Sequence, residues 1–170
     1  MSAAMAPDLS EKQQFLDVFA REHATTLKVM RAFPASEASF TPHPRSYTAK
    51  RLMWTFVIEQ GALLAALNGT WSMPPKFPPD PATLDEVFVA YQHSVAEVKT
   101  QMAAATSATL NNKVPFPSGP GQMGEIRIMD LAWLFLMDSI HHRGQLSVYV
   151  RLAGGKVPSI YGPSADEPFI

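Results

Sequence analysis

The chain has 170 residues, 46% hydrophobic and 17% charged, which is enough apolar surface for one folded domain over residues 1–170. Its 14 basic and 15 acidic residues are spread along the chain and give a net charge of −1, which argues against nucleic-acid binding. The sequence has no cysteine, which excludes disulfides and thiolate ligands, and without a membrane span or leader pattern we expect a cytoplasmic protein with no membrane contact.

Two helices are predicted in the first half of the chain. Ser10, followed by Glu11, resembles the start of a capping box, and apolar residues then recur at helical spacing as far as Ala32. A loop with several prolines follows. Ser46 is the predicted N-cap of the second helix, which Gly69 ends.

Two further helices are predicted in the second half. Thr83 and Glu86 form a capping box at the start of the third helix. The segment Thr106–Glu125 is rich in Ser, Asn, Pro and Gly and is predicted to be a loop. The fourth helix is predicted from Ile128 to Ala153. Four amphipathic helices without an alternating strand pattern predict an all-α four-helix bundle.

Polar residues interrupt the apolar stripe of the fourth helix. Asp138 and His142 lie one turn apart, so their β-carbons should be about 5–6 Å from each other. Such a pair on an inward face indicates a hydrogen-bond network, a ligand or a metal. Glu59, on the apolar face of the second helix, would supply a third N/O ligand if the two helices pack together. Alternatively, Glu59 pairs with Arg143 or Arg51, and Asp138 simply hydrogen-bonds His142.

The remaining histidines are assigned no ligand role. His141 points about 100° away from His142 and is expected to support it or to lie at an interface. His23, His43 and His93 are predicted to be solvated, on polar faces or in a loop. The sequence contains no glycine-rich phosphate loop and no nucleophile elbow, so we assign no catalytic residue.

A second stripe of the fourth helix, opposite in part to the first, contains small residues at Gly144 and Ser147. Small residues permit close helix approach. This stripe predicts either that the fourth helix is central in the bundle or that it lies at a homodimer interface.

The end of the chain resembles a known family. Residues 140–163, IHHRGQLSVYVRLAGGKVPSIYGP, are similar to the fourth-helix signature of the DinB/YfiT-like family, in which an HRGQ element precedes a glycine-containing turn and a YGP-like tail. The resemblance extends over nearly the whole chain. It implies a four-helix bundle, commonly a homodimer, with a divalent metal such as nickel or zinc held in many members by three histidines.

The family's ligands match this chain only in part. The two histidines of the fourth helix fall at Asp138 and His142, so the first is replaced by a carboxylate. The histidine of the second helix falls at Trp54 or Thr55, neither of which is histidine. The resemblance therefore implies a site in which Glu59, about one turn later, is the candidate replacement.

Two functions are consistent with these observations. The first is a metal-dependent thiol transferase or hydrolase, in which the metal lowers the pKa of a bound thiol or water and the pocket is lined by Trp54, Thr55 and Gln145. The second is a non-catalytic homodimer that has lost the metal and binds a small molecule or a partner protein. In that case Asp138 and His142 hydrogen-bond each other.

Overall fold

The computed structural model describes residues 9–170. The expectation of no leader rests partly on the first eight residues, which lie outside this range. Four long helices form a bundle, as predicted, and a short helix with a two-stranded hairpin connects the last two. No described helix combines the length and the apolar character that a membrane crossing requires. The α-helices and strands are α1 (Glu11–Arg31), α2 (Ala49–Leu67), α3 (Leu84–Ala104), α4 (Ser107–Asn111), β1 (Lys113–Gly119), β2 (Gln122–Arg127) and α5 (Ile128–Leu152), with one turn of 3-10 helix at Ala35–Glu37.

The helix starts follow the capping chemistry of the sequence, with one exception. The Ser10 side chain accepts a hydrogen bond from the backbone of α1, and both halves of the Thr83–Glu86 capping box are present. The predicted cap of α2 at Ser46 is wrong. Thr48 caps α2 instead, by accepting from the backbone N–H of Arg51, while Ser46 remains in the preceding loop.

The predicted loop over Thr106–Glu125 is also corrected, because it contains α4 and most of the hairpin. Strands β1 and β2 pair antiparallel, with Pro115 opposite Glu125 and Pro117 opposite Met123. These prolines, two residues apart, are tolerated because a two-stranded hairpin leaves every second backbone N–H unpaired along its outer edge.

The core consists of two apolar clusters separated by a layer of buried polar side chains. Along each long helix, apolar residues at one end belong to the first cluster and those at the other end to the second. The buried polar residues lie between them in sequence on all four helices. We call them the polar layer: Glu22, His23, Thr26, Glu59, Gln60, Ser94, Ser139 and Arg143.

The buried face of α5 differs from the stripe that the sequence suggested. Leu136, Ser139 and Leu146 are buried. Val148 and Leu152, which share the helical face of Asp138 and His142 and were therefore expected to point inward, are exposed. Since apolar residues occur on several sides of this helix, its periodicity does not define one inward face. Asp138 and His142 consequently lie at the border between core and solvent.

Residues 157–167, which we call the tail, fold back against the ends of α1 and α5. The Asp166 carboxylate lies 2.6 Å from the Arg151 guanidinium and accepts a hydrogen bond from the backbone of Val157. The Glu167 carboxylate lies 2.7 Å from the Lys28 ammonium. These contacts hold the tail on the outside of the bundle.

The turn into the tail passes so close to α1 that only glycine fits at position 155. A β-carbon there would lie 2.7 Å from the Ala32 carbonyl oxygen and 2.9 Å from Val150 Cγ1. We expect Gly155→Ala to lower the free energy of unfolding by about 1–3 kcal/mol, measured by urea denaturation. Gly144→Ala is the matched control, because its β-carbon meets nothing within 4 Å, and it should stabilise α5 slightly. Equal effects at both positions would contradict this account.

Candidate metal centre

Three side chains from α2 and α5 meet at the border of the polar layer. Glu59, Asp138 and His142 each offer one ligand atom, and these atoms all lie within 4.8 Å of one another. His142 Nε2 is 3.5 Å from Asp138 Oδ2 and 3.8 Å from Glu59 Oε1. Packing of α2 against α5 brings in the glutamate, and the one-turn spacing on α5 supplies the other two. The structure thus brings together the three residues that the sequence put forward.

Glu59 is the buried member of this group. Its side chain is 6% exposed, Ser139 Oγ donates a 2.5 Å hydrogen bond to Oε2, and Oε1 has no hydrogen-bond partner among the described residues. Burial raises the pKa of Glu59 to about 9, helped by the nearby Asp138 carboxylate and opposed by the Ser139 hydroxyl. Without a positive partner, Glu59 therefore holds a proton at neutral pH.

His142 is oriented by its other ring nitrogen. Nδ1 lies 3.1 Å from Gln145 Oε1, and Gln145 Nε2 lies 3.0 Å from His141 Nε2. An acceptor at Nδ1 favours the tautomer with the proton there, which leaves the Nε2 lone pair facing the two carboxylates. His141 thus contacts Gln145, which in turn contacts His142.

A groove opens beside His142. Its volume is about 490 Å³, within the range of sites for small molecules. The Tyr149 hydroxyl donates a 3.1 Å hydrogen bond to the Tyr47 carbonyl, which holds the loop before α2 against α5. The groove is lined by Arg45, Ser46, Tyr47, Leu52, His142, Gln145, Val148 and Tyr149.

Only Gln145 of the three predicted pocket residues lines this groove. Trp54 is buried in an apolar cluster, about 140° around α2 from Glu59, so it points away from the metal centre. Thr55 lies one turn before Glu59 on the same side of α2, and its hydroxyl donates to the Arg51 carbonyl. Of the two positions that the resemblance offers for the family's second-helix histidine, Thr55 is therefore the one on the same side of α2 as Glu59.

Glu59 pairs with neither arginine that the sequence offered as an alternative. Arg51 forms an ion pair with Asp80, and Arg143 forms one with Glu22. Both guanidinium groups are therefore engaged elsewhere.

Arg143 pairs with Glu22 of α1 in the polar layer, and Tyr161 of the tail joins this pair without any signal in the sequence. Its side chain is 1% exposed, its NH2 group lies 2.8 Å from Glu22 Oε2, and NH1 donates to the Glu22 carbonyl. The Tyr161 hydroxyl of the tail donates to the same carboxylate oxygen at 2.6 Å. Burial alone would raise the pKa of Glu22, but the hydrogen bonds from Tyr161 and Arg143 hold it below its usual value.

His23 is the one histidine whose predicted environment is wrong. It is buried, Nδ1 lies 2.8 Å from the Phe19 carbonyl, and burial lowers the pKa of His23 to about 4. It is therefore neutral at pH 7, with the proton on Nδ1. The helical spacing from Phe19 could have indicated this inward position. His43 and His93 are exposed, as predicted.

Comparisons with known proteins agree on one family. The sequence model of the DinB family matches residues 1–168. The uncharacterized protein YrdA of Bacillus subtilis (strain 168) is 27% identical over 154 residues, which cover 90% of this chain and 89% of YrdA.

Two solved structures share the fold. The DinB-like protein YjoA from Bacillus subtilis superposes with a TM-score of 0.67 at 18% identity, covering 92% of this chain and 99% of that one. A DinB-like protein from Bacillus cereus ATCC 10987 superposes with a TM-score of 0.71 at 22% identity, covering 86% and 95%. The predicted all-α bundle is confirmed.

Proposed function

The chain belongs to the DinB family, and we propose that it binds one divalent cation through Glu59, Asp138 and His142. The observation that carries this proposal is the buried Glu59 Oε1, which has no hydrogen-bond partner within residues 9–170 and lies 3.8 Å from His142 Nε2. A cation between these atoms would supply the positive charge that a buried carboxylate requires.

The donor set suits a divalent cation. Two carboxylates and one imidazole match zinc, manganese or iron(II), and they accept nickel, whereas softer metals prefer thiolates that this chain lacks. Gln145 would hold His142 in the ligating tautomer, and Ser139 would orient the Glu59 carboxylate. Three protein ligands leave at least one coordination position for another molecule.

We propose that this position serves a small substrate that enters through the groove. His142 borders both the groove and the two carboxylates, so a molecule in the groove would lie next to a cation held by these residues. The bound cation supplies Lewis acidity that lowers the pKa of a coordinated thiol or water. The function supported best is therefore a metal-dependent transferase or hydrolase that acts on small molecules.

The test is a cation titration. Protein purified without a tag or chelator is titrated with zinc, nickel and manganese by calorimetry, and its metal content is measured by plasma mass spectrometry. We expect about one equivalent, and we expect His142→Ala to weaken binding by about 100-fold or more, because an imidazole ligand is lost. His93→Ala, on the exposed face of α3, is the control. Absence of binding, or equal losses in both variants, would reject the proposal.

A second candidate function is a non-catalytic homodimer that binds no metal. The exposed apolar side chains Leu134, Met137, Val148 and Leu152 on α5 favour it, because such residues are typical of interfaces. In that protein Glu59 would stay protonated and donate a hydrogen bond within the group of three. The same titration separates the two candidates, since the homodimer would take up none of the three metals.

A further inference from the structure

Arg45 stands out among the residues that line the groove. Within residues 9–170 its guanidinium forms no ion pair and no side-chain hydrogen bond, although it borders a concave surface. The neighbouring Arg51 differs, because it pairs with Asp80 and lies over the Tyr47 ring at 5.8 Å from its centroid. Arg45 is thus the free cationic group of the groove.

The loop that contains Arg45 is held in place by its own hydrogen bonds. The backbone N–H of Arg45 donates to His43 Nδ1 at 3.2 Å, and the N–H of Ser46 donates to the His43 carbonyl at 2.9 Å. The Thr41 hydroxyl donates to the same carbonyl. Together with the bond from Tyr149 to Tyr47, these contacts fix the backbone from which the Arg45 side chain extends.

The rest of the groove offers apolar walls and few charges. Leu52, Val148 and the rings of Tyr47 and Tyr149 supply apolar surface, and His142 marks the end beside the two carboxylates. A cation bound there would offset those carboxylates. Under that condition the net charge facing a ligand comes from Arg45.

We infer that the groove binds small molecules that carry a single carboxylate, with Arg45 binding that group and the apolar walls holding the organic body. This inference rests on the proposed function in taking the groove as the substrate's route to the cation. A planar guanidinium forms paired hydrogen bonds with a carboxylate. Since only one unpaired cationic side chain lines the groove among the described residues, a monoanion matches it better than a doubly charged phosphate.

The test compares an acid with its uncharged amide. Binding of 3-phenylpropanoate and of 3-phenylpropanamide to the full chain is followed by the NMR chemical shifts of the protein's backbone N–H groups, with and without zinc. A charged hydrogen bond is worth enough that we expect the acid to bind about 10-fold more tightly than the amide. Arg45→Gln should abolish this preference, and Arg45→Lys should restore part of it. Arg31→Gln removes an equal charge on α1, beside Gln92 and outside the groove, and should leave the preference unchanged.

Other results would overturn the inference. Equal binding of acid and amide would show that the groove does not select a carboxylate. A preference that needs zinc and survives Arg45→Gln would show that the cation, rather than Arg45, binds the acid. Tighter binding of 2-phenylethylphosphonate than of the acid would assign the groove to phosphate-like groups. Failure of the proposed function is distinguishable, because it appears as absent zinc binding by the wild-type protein. Failure of this inference appears instead as an equal preference for the acid over the amide in wild type and in Arg45→Gln.

Discussion

Replacing Arg143 with methionine is expected to lower the free energy of unfolding by about 3–5 kcal/mol. The guanidinium is almost fully buried and pairs with Glu22. Its loss leaves the buried carboxylate with the 68% exposed Arg21, at 3.5 Å, as its remaining ion-pair partner among the described residues. Methionine fills similar space, which limits any cavity. Thermal and urea unfolding of the metal-free protein measure the effect.

A double-mutant cycle isolates the ion pair. Glu22→Gln alone should also destabilise the protein, whereas Glu22→Gln combined with Arg143→Met should cost clearly less than the two single changes added together. Arg151→Met is the control, because the Arg151 side chain is 46% exposed and ion pairs of exposed side chains contribute little. Additive losses, or a loss at Arg151 as large as at Arg143, would contradict the assignment of the buried pair.

The second large effect concerns Glu59 and pH. In the folded protein this carboxyl has a pKa of about 9, against 4.5 as the ordinary value in an unfolded chain. Between these values the folded state holds the additional proton, so the free energy of unfolding falls as pH rises, by up to about 1.4 kcal/mol per pH unit. Glutamine cannot ionise, so the free energy of unfolding of Glu59→Gln does not fall with pH for this reason.

We therefore expect Glu59→Gln to become progressively more stable than wild type, with the difference in free energy of unfolding growing by about 2–4 kcal/mol from pH 5 to pH 8. Urea denaturation of metal-free proteins across this range measures it. The exposed Glu97→Gln serves as the control for the loss of any carboxyl group. A constant difference between Glu59→Gln and wild type would show that Glu59 is ionised in the fold. The variant should also bind zinc more weakly, so that stability and cation binding change in opposite directions.

The sequence predicts the four long helices because capping residues and apolar spacing are local signals. Thr83 and Glu86 mark the start of α3 directly. The hairpin is hidden by Pro115 and Pro117, which are typical of loops and are compatible with strands only along an unpaired edge. The inward face of α5 could not be predicted for a different reason, since apolar residues surround this helix and only packing selects the buried side.

The candidate metal centre was predictable because each of its residues breaks an apolar pattern. Asp138 and His142 share one turn, and Glu59 lies on an apolar face of α2. The pairing of Arg143 with Glu22 was not predictable in this way, because it depends on how α1 and α5 are aligned along the bundle. Tyr161 of the tail also contacts this pair, and no local pattern in the sequence predicts that contact.

The contact of Tyr161 with Glu22 has a consequence for local opening of the fold. The Tyr161 side chain is 70% exposed, yet its hydroxyl donates to a carboxylate of the polar layer. Release of residues 157–167 would remove this donor and admit water to the carboxylate in its place. Local opening of the tail would therefore loosen the pair of Glu22 and Arg143 while the four long helices stay folded.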